Sequence, residues 1–210
     1  MPLNKSQLSS DILTVFKSMK DNYKTQDYDG DDEFAKGIAK AFKDFGEGGE
    51  IITVDTGAVS AGAFTGTGSG SLSLSDSASY STLKSAVKEM KTNNKDDDYL
   101  AGEFKKALQD MYDASDIVET SVNGSIVIPA GGTTTVTGAS GKGTIKCNFS
   151  TVETGLKSFF ALMKNIDNNK TDSDLANEIT NLVYTAVVSG VISTQDEGEI
   201  SGAVGVGTIS

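Results

Sequence analysis

The chain has 210 residues, a net charge of −11 and 37% hydrophobic residues, enough apolar content for a modest core. All 18 basic residues are lysine, and histidine is absent. An acidic surface without arginine excludes a nucleic-acid grip built on displaced counterions and bidentate base reading. The missing imidazole removes Ser-His and Cys-His nucleophiles and histidine metal ligands.

The first helix is expected after a cap at Ser9-Ser10-Asp11, with Ile12, Val15, Phe16 and Met19 on one face. An acidic link, Lys20–Asp32, leads to a second helix carrying Phe34, Ile38, Ala41, Phe42 and Phe45. That spacing recurs as Leu100, Phe104, Ala107, Leu108, Met111, and again as Leu175, Ile179, Leu182, Val183, Ala186, which is helical periodicity. In the last copy the helices are predicted over Leu156–Ile166 and Asp174–Val188, stopped by Gly190. Gly46-Glu47-Gly48-Gly49 stops the first pair in the same way. Short strands follow each helix pair. Ile117–Val122 and Ser125–Ile128 flank Asn123-Gly124, a strong two-residue hairpin signal, and Thr133–Thr137 favours a further strand. Gly57 and Gly198 share the column of Asn123, so a turn is expected at each, at Glu197–Gly198 in the last copy.

The columns extend over the whole chain. Ile12, Leu83 and Leu156 align, as do Phe16, Val87 and Phe160, then Met19, Met90 and Met163. The expected architecture is α+β: three tandem pseudo-equivalent units, 1–75, 76–149 and 150–210, each an αα-hairpin followed by a β-hairpin or short strands. Phe34, Leu100 and Leu175 should be buried at equivalent sites. A unit of about 70 residues buries only a marginal core, so the units are expected to pack on one another or on other chains.

Each unit ends on glycines two apart: Gly66, Gly68 and Gly70; Gly141 and Gly143; Gly205 and Gly207. On a strand such glycines share one face and leave it bare, so another backbone can approach. These seven are the candidate interaction residues for assembly, covered by another repeat or another subunit. A flexible linker explains Gly66–Gly70 equally well and the last copy less well.

Other motifs point to little chemistry. Gly141-Lys142-Gly143-Thr144 lacks the first glycine of the phosphate-loop spacing, because Val136 stands there. Asp27-Tyr28-Asp29-Gly30-Asp31-Asp32 places glycine at the fourth position, where a calcium loop of the EF-hand type needs it at the sixth. The acidic loops, including Asp96-Asp97-Asp98 and Asp167…Asp172…Asp174, are read as helix caps. No pair of carboxylates stands apart from caps and solvated faces, so the chain is read as no enzyme, with no cofactor and no metal ligand set. No apolar run approaches the roughly 20 residues that span a membrane, and no secretion signal is visible at the start. Cys147 is alone, so no internal disulfide is expected.

The third copy carries a resemblance. Leu175-Ala176-Asn177-Glu178-Ile179, then Val187-Val188-Ser189-Gly190-Val191-Ile192-Ser193-Thr194, then Gly205-Val206-Gly207-Thr208-Ile209-Ser210 resembles a helix-strand Gly-x-Gly-Thr-Ile module of tailed-bacteriophage virion structural proteins. It covers about 35 residues, and the module is single-copy in that family, so triplication is a departure. The resemblance implies a tail, neck or baseplate protein located in the virion and made in the host cytoplasm. Its partners would be other virion proteins and itself, with no nucleic acid and no membrane. The alternative is a bacterial surface or adhesion-type binding module.

Overall fold

The computed structural model describes residues 2–25 and 28–210. Among the described residues, apolar side chains at helical spacing form six α-helices, and runs of alternating burial form six strands. Their order is helix, helix, strand, strand, three times. The first set is α1 (Lys5–Asn22), α2 (Gly30–Glu47), β1 (Ile51–Val59) and β2 (Gly62–Ser73). The second is α3 (Ser77–Thr92), α4 (Asp97–Asp113), β3 (Asp116–Val127) and β4 (Thr133–Lys146). The third is α5 (Ser150–Lys164), α6 (Asp172–Val188), β5 (Val191–Asp196) and β6 (Ala203–Ile209). The class is α+β.

The strands do not remain three separate hairpins. Each pairs antiparallel with the next, and β6 pairs with β1 from Ile51↔Ile209 to Gly57↔Ala203, so one barrel closes. Closure gives each strand a neighbour on both sides, although β4 pairs with β5 only from Gly141 to Lys146. An open sheet would leave two whole strands unpaired on one side, the feature by which sheets aggregate. The helices likewise form a ring, each touching the next and α6 returning to α1. They cover one end of the barrel, where Ile51, Leu72, Ile117, Ile145, Ile192 and Ile209 join the helix core of Leu8, Ile38, Phe42, Leu83, Phe104, Leu108, Leu156 and Ile179. Phe104 stands edge-on to both Phe34 and Phe42, with ring centroids 6.1 Å apart in each pair. A second apolar cluster, including Val59, Phe64, Val122, Ile126, Val136 and Ile200, fills the far end.

Acidic loop residues cap α2 and α4 as expected, while in the third set the cap residue is Thr171 and not one of the acids. The Asp29 carboxylate accepts from the amides of Asp31 and Asp32, and Asp96 accepts from Tyr99. Thr171 and Asp174 form a reciprocal capping box. Asp27, the first acid of the calcium-like loop, lies outside the described residues.

Four expectations need correction. The first helix starts at Lys5, not after Ser9-Ser10-Asp11, because the Asn4 side chain accepts from the Gln7 amide and takes the cap. Asn123-Gly124 is no turn: both residues lie inside β3, and the chain reverses at residues 128–132. Gly57 also lies mid-strand, and β1 turns at residues 60–61; only the Gly198 turn holds. The reason is strand length. Pairing along both edges carries β1 and β3 past the point where the shorter β5 ends. Gly124 serves close approach instead, since a Cβ there would strike the Thr65 carbonyl oxygen and lie 2.6 Å from Gly66 Cα. Finally, Phe34 is buried, but Leu100 and Leu175 are only partly so and pack at the margin of the core.

Ion pairs tie the helix ring together. Glu153 on α5 holds Lys105 of α4 and Lys157 of its own helix, each at 2.8 Å. Hydrogen bonds from Lys105 first, then Lys157, lower its carboxyl from 4.5 to about 2. A depressed acid stabilises the fold above its unfolded value and ceases to do so as pH falls through the folded one. Glu153→Gln is therefore expected to lower the melting temperature at pH 7 by about 1–3 °C, a partly exposed pair being worth under about 1 kcal/mol. The deficit should shrink as pH falls from 4.5 to about 2, which thermal melts at stepped pH will show.

Candidate functional site: a carboxylate cluster inside the barrel

Strand alternation decides what enters the lumen. On β1 the inward residues run Ile51, Thr53, Asp55, then Gly57 and Val59. On β5 they run Ile192, Thr194, Asp196, and on β3 Ile117, Glu119, before a bulge shifts the phase to Val122. Ile51, Ile117 and Ile192 belong to the helix-side core, and Val59, Val122 and Ile126 to the far cluster. Between these two apolar plugs lies a polar layer of Thr53, Asp55, Glu119, Thr194 and Asp196, none more than 4% exposed.

The seven glycines singled out in the sequence surround this layer. Thr53 pairs in register with Gly68 on one side and Gly207 on the other, and Asp55 with Gly66 and Gly205. Glu119 lies between Gly70 and Gly141, and Thr194 between Gly143 and Gly205. Asp196 faces Gly141. Each polar side chain thus extends over a neighbouring strand that has no side chain. A Cβ at Gly68, Gly141 or Gly205 would collide with the polar oxygens, whereas one at Gly70, Gly143 or Gly207 would strike the backbone of the next strand. The cover expected over the bare faces therefore comes from strands of this chain and from the buried acids.

The layer has too few donors. Thr53 Oγ1 is within reach of Glu119 Oε1 and, at 3.1 Å, of Asp55 Oδ2, but a hydroxyl carries one proton. Asp55 Oδ1, Glu119 Oε2, Thr194 Oγ1 and both oxygens of Asp196 are buried without any partner. Burial raises the Asp55 carboxyl, opposed by the Thr53 hydroxyl and reinforced by Glu119. Asp196 is pushed up to about 6, first by burial and then by Asp55 and Glu119. Buried ionised carboxylates without partners cost several kcal/mol each, so this layer must take up either protons or a cation. One oxygen from each carboxylate lies within 4.8 Å of the others, a separation that a single ion with 2.3–2.6 Å bonds can bridge.

In the sequence these three do not stand apart from the acids that read as caps and solvated faces. A signal was present: Thr53-Val54-Asp55 and Thr194-Gln195-Asp196 occupy the same columns, in phase with the inward Ile51 and Ile192. Glu119 stands in the column of Thr53 and Thr194. Comparison with protein-family models, with curated proteins and with solved structures found no match.

Proposed function

We propose that this chain is a non-enzymatic structural protein of a tailed-bacteriophage particle, a tail, neck or baseplate component that binds other virion proteins and copies of itself. The observation that favours a protein contact is the outer wall of β5, β6, β1 and β2. On a chain of net charge −11, the charged residues of these four strands are Asp55 and Asp196, and both point into the lumen. Facing solvent are Ile52 (50% exposed), Val54 (59%), Val204 (43%) and Val206 (59%), with Val54 directly opposite Val206. Depletion of charge together with clustered apolar side chains marks a surface that another protein covers. β5, β6, β1 and β2 are each paired on both sides, so contacts on this wall would be made by side chains. The buried carboxylates, sealed between apolar plugs, offer no opening to a substrate.

In the same reading the units 1–75, 76–149 and 150–210 are pseudo-equivalent. Support comes from matched inward columns: Ile51, Ile117 and Ile192, and Leu72, Ile145 and Ile209. Mass spectrometry of purified particles tests the role: the chain should be present at fixed copy number, and its absence from intact particles overturns the proposal. The double variant Val54→Lys/Val206→Glu, which sets opposite charges side by side, should melt within about 4 °C of the parent, since two exposed substitutions cost within about 0.5 kcal/mol each. Its incorporation into particles, read by the same spectra, should fall at least tenfold.

A further inference from the structure

We propose that Asp55, Glu119 and Asp196, with the hydroxyls of Thr53 and Thr194, hold one calcium-class divalent cation inside the barrel. Three features of the lumen carry this. The first is convergence. Strands from three different helix-strand sets each send one carboxylate to the same point, with their oxygens within 4.8 Å of one another. The second is incompleteness. Five buried oxygens in this layer have no partner, and Asp196, 4% exposed, has none on either oxygen. A native protein seldom leaves buried polar atoms unpaired, and an unfilled ion site is one reason that it does. The third is provision of space. Gly68, Gly141 and Gly205 stand where any Cβ would overlap the carboxylate or hydroxyl oxygens, so the neighbouring strands leave room for them.

The donor set fixes the class of ion. Every donor is oxygen, histidine is absent from the chain, and Cys147 lies in the helix-side core. Carboxylate and hydroxyl oxygens suit hard cations and not thiolate- or imidazole-seeking ones. Between calcium and magnesium the seal decides. Magnesium keeps several waters and demands a tight octahedron, whereas calcium accepts 6–8 oxygens in flexible geometry. Three carboxylates and two hydroxyls between apolar plugs supply an all-protein oxygen cage, which suits calcium better. One divalent ion would also offset most of the charge of three carboxylates.

The ion would be an internal staple and not a catalytic metal, because its ligands are at most 4% exposed. It would join β1, β3 and β5, no two of which are paired neighbours in the barrel. Metal binding that fastens a fold in this way appears as folding stability.

The test uses the full chain. Protein purified without chelator is assayed for metal by inductively coupled plasma mass spectrometry. Separate portions are unfolded in guanidinium with chelator, freed of metal, and refolded in 1 mM calcium chloride, 1 mM magnesium chloride or 1 mM EGTA. Refolding is required because a sealed site exchanges slowly. About one calcium per chain is expected, with a melting temperature about 10 °C higher in calcium than in EGTA and a smaller rise in magnesium. Asp196→Asn should lose both the bound metal and the calcium-dependent rise. Absence of metal from the purified chain, together with equal melting in calcium and EGTA, overturns the proposal and leaves the cluster protonated. Calcium fully retained by Asp196→Asn overturns it as well, placing the ion elsewhere. Should that variant fail to fold, the metal content and refolding comparison of the parent decide alone.

Discussion

Gly207→Leu is expected to lower the melting temperature by about 10 °C or more, or to prevent the barrel from closing. A Cβ at Gly207 would run into the Ile52 carbonyl oxygen and sit 2.8 Å from Thr53 Cα, both on the adjoining strand. Backbone cannot rotate away as a side chain can, so β6 and β1 would have to part along the seam that closes the ring. Overpacking a tight interior costs about 1–3 kcal/mol, occasionally more, and strand separation adds lost pairing. For a chain of this size each kcal/mol moves the transition by about 2–4 °C. Thr208→Leu, one residue on and facing solvent, should shift it by less than about 2 °C. Thermal melts of both variants make the comparison. Equal stability of the two would mean that the lumen has room to spare along β6.

The metal-stripped chain should lose stability as pH rises, and Asp196→Asn should remove much of that loss. Asp196 ordinarily titrates near 3.8 and is pushed to about 6 by burial and by Asp55 and Glu119. The folded chain then holds a proton that the unfolded chain releases, so its stabilising effect is complete below 3.8 and gone above about 6. That gap corresponds to about 3 kcal/mol, or roughly 6–12 °C in melting temperature. Asp55, also raised, adds in the same direction. At pH 8 the asparagine variant should therefore melt above the parent, while near pH 3.5 the two converge. Melts from pH 3.5 to 8 in metal-free buffer decide it, and parallel profiles would show that Asp196 bears no such strain. With calcium bound the order at pH 8 should reverse, because the ion needs the carboxylate that asparagine removes.

Much of the helical layer was legible in the residues. Phe34, Ile38 and Phe42 repeat at helical spacing, and the caps at Asp29 and Asp96 are local chemistry that sequence displays directly. Barrel closure was not legible. Alternation tells which face of β1 turns inward, but not that β6 will be its neighbour. The turn at Asn123-Gly124 failed for a related reason: a local preference lost to strand pairing on both sides. The carboxylate cluster was hidden because Asp55, Glu119 and Asp196 are far apart in the chain. Taken singly, each is one acid among 29. The glycines stand out in the sequence, yet their purpose becomes clear only once the register sets them beside the polar positions of neighbouring strands.

The seam between β1 and β6 has a consequence for how the chain is made. Ile51 must wait for Ile209, so ring closure is the least local step of folding, and contacts of long sequence separation are slow to form. At ordinary translation rates roughly 10–30 s separate the emergence of the two strands from the ribosome. Throughout that interval the nascent β1 presents a bare hydrogen-bonding edge, flanked by Ile52 and Val54, to any other growing copy nearby. Two chains caught at this stage could exchange last strands, each completing the ring of the other. The yield of monomer should therefore depend on how crowded the polysome is, and slow expression at low temperature is the condition that favours correct closure.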